Sequence, residues 1–209
     1  MNVYDFDKTI YLHESTRKFY FFCLKRNKKH FFHIFKVVFW GFLRGIRVVS
    51  LKKFKEKFFS FTKFVPDIEK TVEEFWDNEF FNINYWYFEK RKRGDVVCSA
   101  SPRFLLENIV ARINKNAKLV CTEYDIESQK IVGENCKGEE KVKRLKELGY
   151  NEFENGFSDS KSDIPMLKMC KKAYKVKKEQ VFLWDIESNK LIKEKPLENK
   201  VEDDDLILN

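Results

Sequence analysis

Two carboxylates, Asp5 and Asp7, stand two residues apart just after a short apolar run, and Thr9 follows two residues later. If the run is a strand, residues two apart point the same way, so both carboxylates would face one cleft. One can then attack a phosphate as a nucleophile while the other moves a proton. Because a carboxylate is repelled by a phosphate dianion, such a site must also hold a cation. The same spacing occurs in capped turns, and the motif alone leaves both interpretations open.

The composition indicates how large a core the chain can bury and in which compartment we expect the protein. A chain of 209 residues can bury one sizeable core and has room for an insertion or a small second domain. The five cysteines are widely spaced and include no Cys-x-x-Cys pair, which predicts neither a disulfide framework nor a zinc site. The apolar run begins right after Met1, and no apolar stretch reaches the ~20 residues that span a bilayer. We therefore expect a cytoplasmic protein without a signal peptide.

Positive charge is concentrated in residues 16–63, which we call the basic segment. It contains fourteen Lys or Arg and one acid, Glu56, a net charge of +13, whereas the whole chain carries +8. It also holds fourteen of the 34 aromatic residues. This composition fits a helical bundle with solvated lysines, contact with an anionic membrane surface, or binding of single-stranded nucleic acid. Nucleic acid is the least favoured of the three, and no obligate protein partner is inferred.

The basic segment has a helical pattern. Apolar residues recur at intervals of three and four, as on one side of a helix; they are Phe35, Phe39, Phe42, Ile46 and Val49. Ser15 is placed to cap a first helix that runs to about Asn27. The pattern predicts an insertion of four or five helices over residues 13–92.

Predicted strands and helices alternate downstream of this insertion. Strands are predicted at 95–100, 117–122, 152–157 and 174–176, a small hairpin at 123–133, and helices at 102–114, 139–148 and 161–171. Such alternation requires right-handed crossovers and produces a mostly parallel sheet with helices on both faces. The predicted fold is α/β and Rossmann-like, with an all-helical cap after the first strand. Ligands are expected at the carboxyl ends of its strands.

Residues suited to phosphate chemistry follow these strands. Ser99 and Ala100 end one strand just before a helix, where a hydroxyl and backbone N–H groups can hold phosphoryl oxygens. Asp159 and Asp163 follow another strand and begin a helix. Lys141 lies in the first turn of its helix, where the helix dipole disfavours a lysine. This position indicates a functional reason for Lys141.

In this order, the segments resemble the four motifs of the haloacid dehalogenase (HAD) superfamily, in its phosphoserine-phosphatase-like branch. The motifs correspond to Asp5-Phe6-Asp7-Lys8-Thr9, to the run that ends at Ser99, to Lys141, and to Ser158-Asp159-Ser160-Lys161-Ser162-Asp163. The resemblance implies a HAD core formed by residues 1–12 and 93–209, with residues 13–92 as the helical cap. Lys8 and Ser158 stand where many members have glycine.

Each motif residue receives a role from this resemblance. Asp5 would be the nucleophile and Asp7 the general acid/base. The phosphate would be held by Lys141, Ser99, Ala100 and Thr9. Mg²⁺ would be bound by Asp5, Asp7, Asp159 and Asp163, with the backbone carbonyl of Asp7 as its donor and Asp163 also supporting Lys141. Glu14 lies where phosphoserine-type enzymes carry an acid that contacts the substrate.

The second half of the chain is similar to the phosphatidylglycerophosphatase C type of HAD enzyme. The similarity rests on Cys136-x-Gly138-x-x-Lys141, on Gly-Phe-Ser-Asp-Ser at 156–160, and on Asp163-x-Pro165-x-Leu167. It implies an anionic lipid phosphate, such as phosphatidylglycerophosphate, as the substrate. The basic segment would then contact the inner face of the membrane peripherally.

Other interpretations stay open at this point. Glu14 favours a small soluble phosphomonoester such as phosphoserine. A non-catalytic lipid or nucleic-acid binding module on the same fold is the alternative of another class, since a fold does not guarantee turnover. His13, His30 and His33 show no ligand spacing, and we interpret them as structural or surface residues. The acidic tail, residues 202–205, is expected to be disordered or to fold onto the basic segment.

Overall fold

The chain folds around one eight-stranded sheet. The computed structural model describes residues 1–26 and 29–192, so His30 has no described side chain and the acidic tail lies outside the described residues. The strands are β1 (Asn2–Tyr4), β2 (Val96–Pro102), β3 (Lys118–Asp125), β4 (Lys130–Val132), β5 (Phe153–Ser158), β6 (Cys170–Lys177), β7 (Gln180–Asp185) and β8 (Lys190–Ile192). Their order across the sheet is β4-β3-β2-β1-β5-β6-β7-β8.

The five central strands run parallel. These are β3, β2, β1, β5 and β6, while β4, β7 and β8 add antiparallel pairs at the two edges. In the middle strand, Val3 lies opposite Val96 of β2 and Gly156 of β5. The predicted α/β fold with a mostly parallel sheet is confirmed. The carboxyl ends of β1, β2 and β5 therefore meet at one edge, where ligands of such sheets bind.

Helices fill the chain between β1 and β2. They are α1 (Ser15–Arg26), α2 (Lys29–Gly45), α3 (Leu51–Phe59), α4 (Ile68–Glu79) and α5 (Tyr85–Lys90), with 3₁₀ turns at Ser60–Phe64 and Phe80–Asn82. The all-helical insertion is thus observed where the sequence predicts it. The division of the chain into a core domain and a cap domain stays a prediction. Among the residues that the structure describes, no helix is long and apolar enough to cross a bilayer.

The remaining helices are α6 (Arg103–Ile113), α7 (Glu139–Glu147) and α8 (Ile164–Leu167). Alternate residues of the central strands pack into two cores, as the period of two along a strand requires. Tyr4 and Val97 pack with α1, α4 and α6, whereas Val3 and Val96 pack with α7 and α8. The indole N–H of Trp76 in α4 donates to the carbonyl of Leu105 in α6 over 2.6 Å. Part of the insertion is therefore continuous with the core of the sheet.

In the C-terminal third, the predicted helix was wrong and the predicted strand was too short. The helix expected over 161–171 is only a 3₁₀ turn at Lys161–Asp163 and the four residues of α8, because the chain enters β6 at Cys170 and pairs with β5 from there. The expected strand at 174–176 is part of that longer strand. β7 and β8 were not predicted at all. These strands form because they pair with strands that are distant in the sequence. Their many polar residues interrupt the alternation of apolar and polar residues by which a strand is predicted.

Gly156 lets α8 and β6 approach β5 closely. A Cβ atom at this position would lie 2.5 Å from the Sγ of Cys170 and 2.8 Å from a methyl group of Leu167. Both distances are shorter than non-bonded contacts allow, so a side chain here would force the neighbours apart. At Gly45, by contrast, an added Cβ meets no atom within 4 Å.

We expect Gly156→Ala to lower the free energy of unfolding by about 1–3 kcal/mol, as overpacking does in cores. The matched control is Gly45→Ala at the end of α2, which we expect to leave the free energy unchanged or to raise it by up to ~1 kcal/mol. Urea unfolding followed by circular dichroism measures both. Equal effects of the two substitutions would contradict the close approach of β5, β6 and α8.

Candidate active site

Asp5 lies at the centre of the sheet edge, directly after β1. Its backbone N–H donates to the carbonyl of Phe157 in β5 over 2.9 Å, which continues the strand pairing up to the carboxylate. Its Oδ1 is 2.7 Å from the Nζ of Lys141, and its Oδ2 accepts from the hydroxyl of Thr9 at 3.4 Å. Only 7% of Asp5 is exposed. The carboxylate is thus fixed on two sides at the floor of a cleft.

Lys141 joins two elements through its ammonium group. The Nζ atom lies 3.0 Å from Oδ1 of Asp163 as well as 2.7 Å from Asp5, and the side chain is buried. Burial alone would lower the pKa of Lys141, but Asp5 and Asp163 outweigh it and hold the pKa above its usual value. Gly138, with φ of +61°, makes the turn that starts α7 and brings Lys141 here. Lys141 is therefore a fully charged partner of both carboxylates.

Asp163 is held by its second oxygen as well. Oδ2 accepts a hydrogen bond of 2.7 Å from the hydroxyl of Ser158, and both residues are buried. This contact gives Ser158 a function that glycine could not supply at the same position. These contacts favour support of Lys141 by Asp163, and metal binding by Asp163 stays a prediction.

Asp7 faces the same cleft, and the start of α1 holds it in place. Its Oδ1 accepts from the backbone N–H of Ser15 at 2.7 Å, and its Oδ2 accepts from the hydroxyl of Ser101. The first N–H groups of a helix have no partner within the helix, and its N-terminus attracts negative charge. The sequence predicted Ser15 as the N-cap of α1. In the structure Ser15 is the first residue of the helix, and the carboxylate of Asp7 accepts the hydrogen bond from its N–H.

Asp159 completes the group of carboxylates. Its backbone N–H donates to Oγ1 of Thr9 at 3.0 Å, so the hydroxyl of Thr9 links Asp159 to Asp5. Burial raises the pKa of Asp159, although the charges of Lys175 and Lys8 oppose the shift. Thr9 is fully buried, which favours a role in positioning Asp5 rather than in contacting a ligand.

Ser99, Ala100 and Ser101 meet the carboxylates at the end of β2. Ala100 and Ser101 line the cleft, whereas the buried Ser99 accepts a hydrogen bond of 3.1 Å from the N–H of Ser101. The oxygen of Ser99 is the acceptor in this bond, so its hydroxyl proton is available for a further acceptor. The preference for Ser99 as the phosphate-binding serine stays a prediction.

Lys55 of α3 is a site residue that the sequence did not reveal. Its Nζ reaches across to the sheet and donates to the carbonyl of Ala100 and to Oδ1 of Asn135, both at 2.7 Å. Burial lowers the pKa of Lys55 to about 8, although Asp7 acts in the opposite direction. Lys55 is one of fourteen cations in the basic segment, and nothing in its local sequence distinguishes it from the others. Asn135 was not predicted either, because nothing in its local sequence marks it as a site residue.

Glu14 and Lys8 stand at the mouth of the cleft and form an ion pair with each other, each about half exposed. Lys8 has φ of +57°, the left-handed conformation that glycine adopts most easily. His13 contacts the ring of Tyr11. His33 is buried in the insertion, with Nδ1 3.2 Å from the hydroxyl of Tyr20.

These residues surround a cavity of about 470 Å³ that has two unlike sides. One side carries the carboxylates and Lys141. The other side comes from the insertion and is mostly apolar, although Thr16, Arg17 and Lys55 also line it; its apolar residues are Val37, Leu51, Phe54, Phe58 and Phe59. The arrangement can hold a charged group against the sheet and an apolar group against α2 and α3.

The donor set of the cavity suits a hard divalent cation. Asp5, Asp7, Asp159 and Asp163 all line it, and burial raises the pKa of Asp5 even though Lys141 opposes this. Oxygen donors with excess negative charge are what Mg²⁺ prefers. Within residues 1–26 and 29–192, no three His, Cys, Asp or Glu side chains converge closely enough to hold a metal alone. The fit therefore rests on the carboxylates of Asp5 and Asp159, with backbone, phosphoryl and water oxygens as the remaining ligands.

Comparison with solved structures shows the same fold in several bacterial proteins. A protein of unknown function from Bordetella pertussis Tohama I is 14% identical, with a TM-score of 0.65 over 80% of this chain and 85% of that one. A phosphoserine phosphohydrolase-like protein from Francisella tularensis subsp. tularensis SCHU S4 is 12% identical, with a TM-score of 0.53 over 82% and 84% of the two chains. A HAD family hydrolase from Salmonella enterica subsp. enterica serovar Typhi is 10% identical, with a TM-score of 0.52 over 81% and 59%.

The sequence itself carries the family assignment. Comparison with curated proteins gave no match. The family profile of haloacid dehalogenase-like hydrolases matches residues 3–168, which include every carboxylate of the cavity and Lys141. The chain therefore belongs to the haloacid dehalogenase-like hydrolases.

Proposed function

We propose that the protein is a Mg²⁺-dependent phosphomonoester phosphohydrolase that works through a phosphorylated Asp5. The observation that carries this proposal is the position of Asp5, buried at the strand edge with one oxygen on Lys141 and the other on Thr9. A carboxylate held in this way is oriented for attack and cannot turn away. Mg²⁺ would supply positive charge to the phosphoryl oxygens as negative charge shifts towards the leaving group.

Asp7 provides the acid and base in this mechanism. In the first step an oxygen of Asp5 attacks phosphorus, the bond to the substrate oxygen breaks, and the carboxylic acid of Asp7 gives that oxygen its proton. In the second step the carboxylate of Asp7 takes a proton from water, the resulting hydroxide attacks phosphorus, and Asp5 is released with inorganic phosphate. The contacts of Asp7 with Ser15 and Ser101 keep it on the side of Asp5 where both transfers occur.

Phosphate binding falls to groups around Asp5. Lys141 neutralises one phosphoryl oxygen, and the hydroxyl of Ser99 with the N–H groups at Ala100 would bind others. Asp163 is a positioning residue in this scheme because it acts through Lys141. Residues 13–92 act as the cap that selects the substrate, since α2 and α3 supply the apolar side of the cavity.

The preferred substrate is an anionic lipid phosphate such as phosphatidylglycerophosphate. The apolar side of the cavity supports this preference, because a small polar phosphomonoester leaves Val37, Leu51 and Phe54 without a partner. The +13 charge of the basic segment supports it as well, since it attracts an anionic membrane surface. Lys55 adds a cation between the two sides of the cavity.

A small soluble phosphomonoester is the second candidate. Glu14 lies at the mouth of the cavity, where it would meet the amino group of a phosphoserine-like substrate. The Francisella structure described as phosphoserine phosphohydrolase-like supports the same alternative at the level of the fold. A non-catalytic binding module is the third, and it predicts no turnover of any phosphomonoester.

The two substrate classes are separated by varying the apolar part of the substrate. We expect kcat/KM with Mg²⁺ to rise by about tenfold or more from glycerol phosphate to a lysophospholipid phosphate, since each buried CH₂ contributes about 0.8 kcal/mol. Phe54→Ser removes part of the apolar side and should reduce this preference while p-nitrophenyl phosphate turnover persists. Release of inorganic phosphate measures all three substrates.

Asp5→Asn is the control for this series and should abolish turnover of every substrate, because an amide cannot form the acyl phosphate. Higher kcat/KM for phosphoserine than for the lipid phosphates would replace the lipid assignment with the soluble one. If Asp5→Asn left turnover unchanged, the catalytic assignment itself would fail.

Lys141 should also control stability, and in a pH-dependent manner. Lys141→Met leaves Asp5 and Asp163 buried without their cation, so we expect the free energy of unfolding to fall by about 3–5 kcal/mol at pH 8. In the folded variant these carboxylates hold a proton at higher pH than in the unfolded chain. Acidification therefore favours the folded state, and the deficit should shrink towards pH 5. Urea unfolding at both pH values measures this.

Lys143→Met is the matched control, because Lys143 lies on the same helix and its side chain is 64% exposed. Its effect should stay within about 0.5 kcal/mol at both pH values. A deficit in Lys141→Met that does not change with pH would indicate lost packing rather than two uncompensated carboxylates.

A further inference from the structure

One side of α2 is apolar and open to solvent. Its large side chains are between 54% and 78% exposed. They form what we call the outer face of α2, which includes Ile46 directly after the helix; the others are Phe32, Phe35, Val38, Phe39 and Phe42. Four of them belong to the apolar pattern found in the sequence, so that pattern marks the outside of the insertion rather than its core.

The opposite side of α2 is apolar too. Ile34 and Val37 pack against the core that contains Tyr4 and Trp76, and Val37 also lines the cavity. Residues two apart on a helix point about 200° apart, which places Val37 across the helix from Phe39. α2 is thus apolar on two opposite sides, with Lys36 and Arg44 elsewhere on the helix, and an apolar side of a helix is normally covered. The outer face therefore calls for a partner.

Charge decides what kind of partner fits. The basic segment, which contains α2, carries fourteen Lys or Arg and one acid, Glu56, which already contacts the N–H of Ile131 and, at 3.7 Å, Lys53. Within the described part of the chain, three of these cations pair with acids outside the segment, which leaves most of the positive charge uncompensated; they are Lys18, Arg26 and Lys52. A second copy of this surface would bring two strongly positive segments together and repel. An anionic bilayer offers both an apolar interior and negative headgroups, the combination that interfacial helices bind.

We propose that the outer face of α2 docks the protein onto an anionic lipid bilayer and brings the cavity to the membrane surface. This proposal rests on the proposed function and extends it, because α2 supplies both the outer face and, through Val37, part of the apolar side of the cavity. Phe39 and Phe42 enter the bilayer interface while Val37, Leu51 and Phe54 face the substrate. A lipid phosphate then reaches Asp5 without leaving the membrane.

Vesicle co-sedimentation of the full chain carrying Asp5→Asn tests docking without turnover. Vesicles of about three parts phosphatidylcholine to one part phosphatidylglycerol should bind this protein, and pure phosphatidylcholine vesicles should bind it at least tenfold more weakly. The double variant Phe39→Ser/Phe42→Ser should lower the partition coefficient at least tenfold. The control is Phe81→Ser/Tyr85→Ser, which removes two rings that are 79% and 64% exposed outside the basic segment and should have no effect.

Three further outcomes would overturn the proposal. The first is equal binding by Phe39→Ser/Phe42→Ser and the unmodified chain. The second is a dimer of the unmodified chain that becomes a monomer in this variant by light scattering, which would assign the face to a second copy. The third is that single-stranded oligonucleotide displaces the protein from vesicles while anionic lipid does not displace the protein from the oligonucleotide. This result would assign the outer face to nucleic acid.

Failure of docking and failure of the proposed function give different results. In protein that retains Asp5, Phe39→Ser/Phe42→Ser should hydrolyse p-nitrophenyl phosphate at the unmodified rate and lose only turnover of vesicle-borne lipid phosphate. Vesicle binding with no hydrolysis of any phosphomonoester would reject the phosphatase and keep the docking surface. Hydrolysis of a soluble phosphomonoester without vesicle binding would reject the docking surface and keep the phosphatase.

Discussion

The charge balance between Lys141 and the two carboxylates Asp5 and Asp163 underlies the rest of the structure. Burying a lone ammonium or carboxylate costs several kcal/mol, so each of these groups can be buried only because the others are there. The contacts tie the end of β1, the start of α7 and the turn after β5 to one point. Ser158 and Thr9 secure the same point by hydrogen bonds. Asp5, the proposed nucleophile, is therefore also part of the structural support of the sheet edge.

Features with a local signature could be predicted from the sequence. Five site residues follow strand ends or begin a helix, and their types and order are recognisable: Asp5, Asp7, Lys141, Asp159 and Asp163. The α/β alternation was predicted for the same reason. Features decided by distant contacts could not be predicted. Lys55 becomes a site residue only because α3 places it over Ala100, and the chain after Lys161 forms β6 because β5 offers a partner, against its local helical pattern.

The apolar residues of the helical insertion lie on three different surfaces. α1 and α4 are packed into the core of the sheet through residues such as Phe19 and Trp76. The inner side of α2 and α3 forms the apolar side of the cavity. The outer face of α2 remains in solvent, surrounded by positive charge. Composition alone shows only that the segment is aromatic and basic. The distribution of those residues over the three surfaces is what supports our proposals of a lipid phosphate substrate and of membrane docking.

The central claim is that Asp5 carries the phosphoryl group. Its most direct measurement is acid quenching of the enzyme during turnover, followed by mass spectrometry of the peptide that contains residues 1–18. With p-nitrophenyl phosphate, whose leaving group needs little protonation, we expect one phosphoryl group on Asp5, a larger phosphorylated fraction in Asp7→Asn because water is no longer activated, and none in Asp5→Asn. Turnover with the phosphoryl group on another residue, or phosphorylation that persists in Asp5→Asn, would contradict the account.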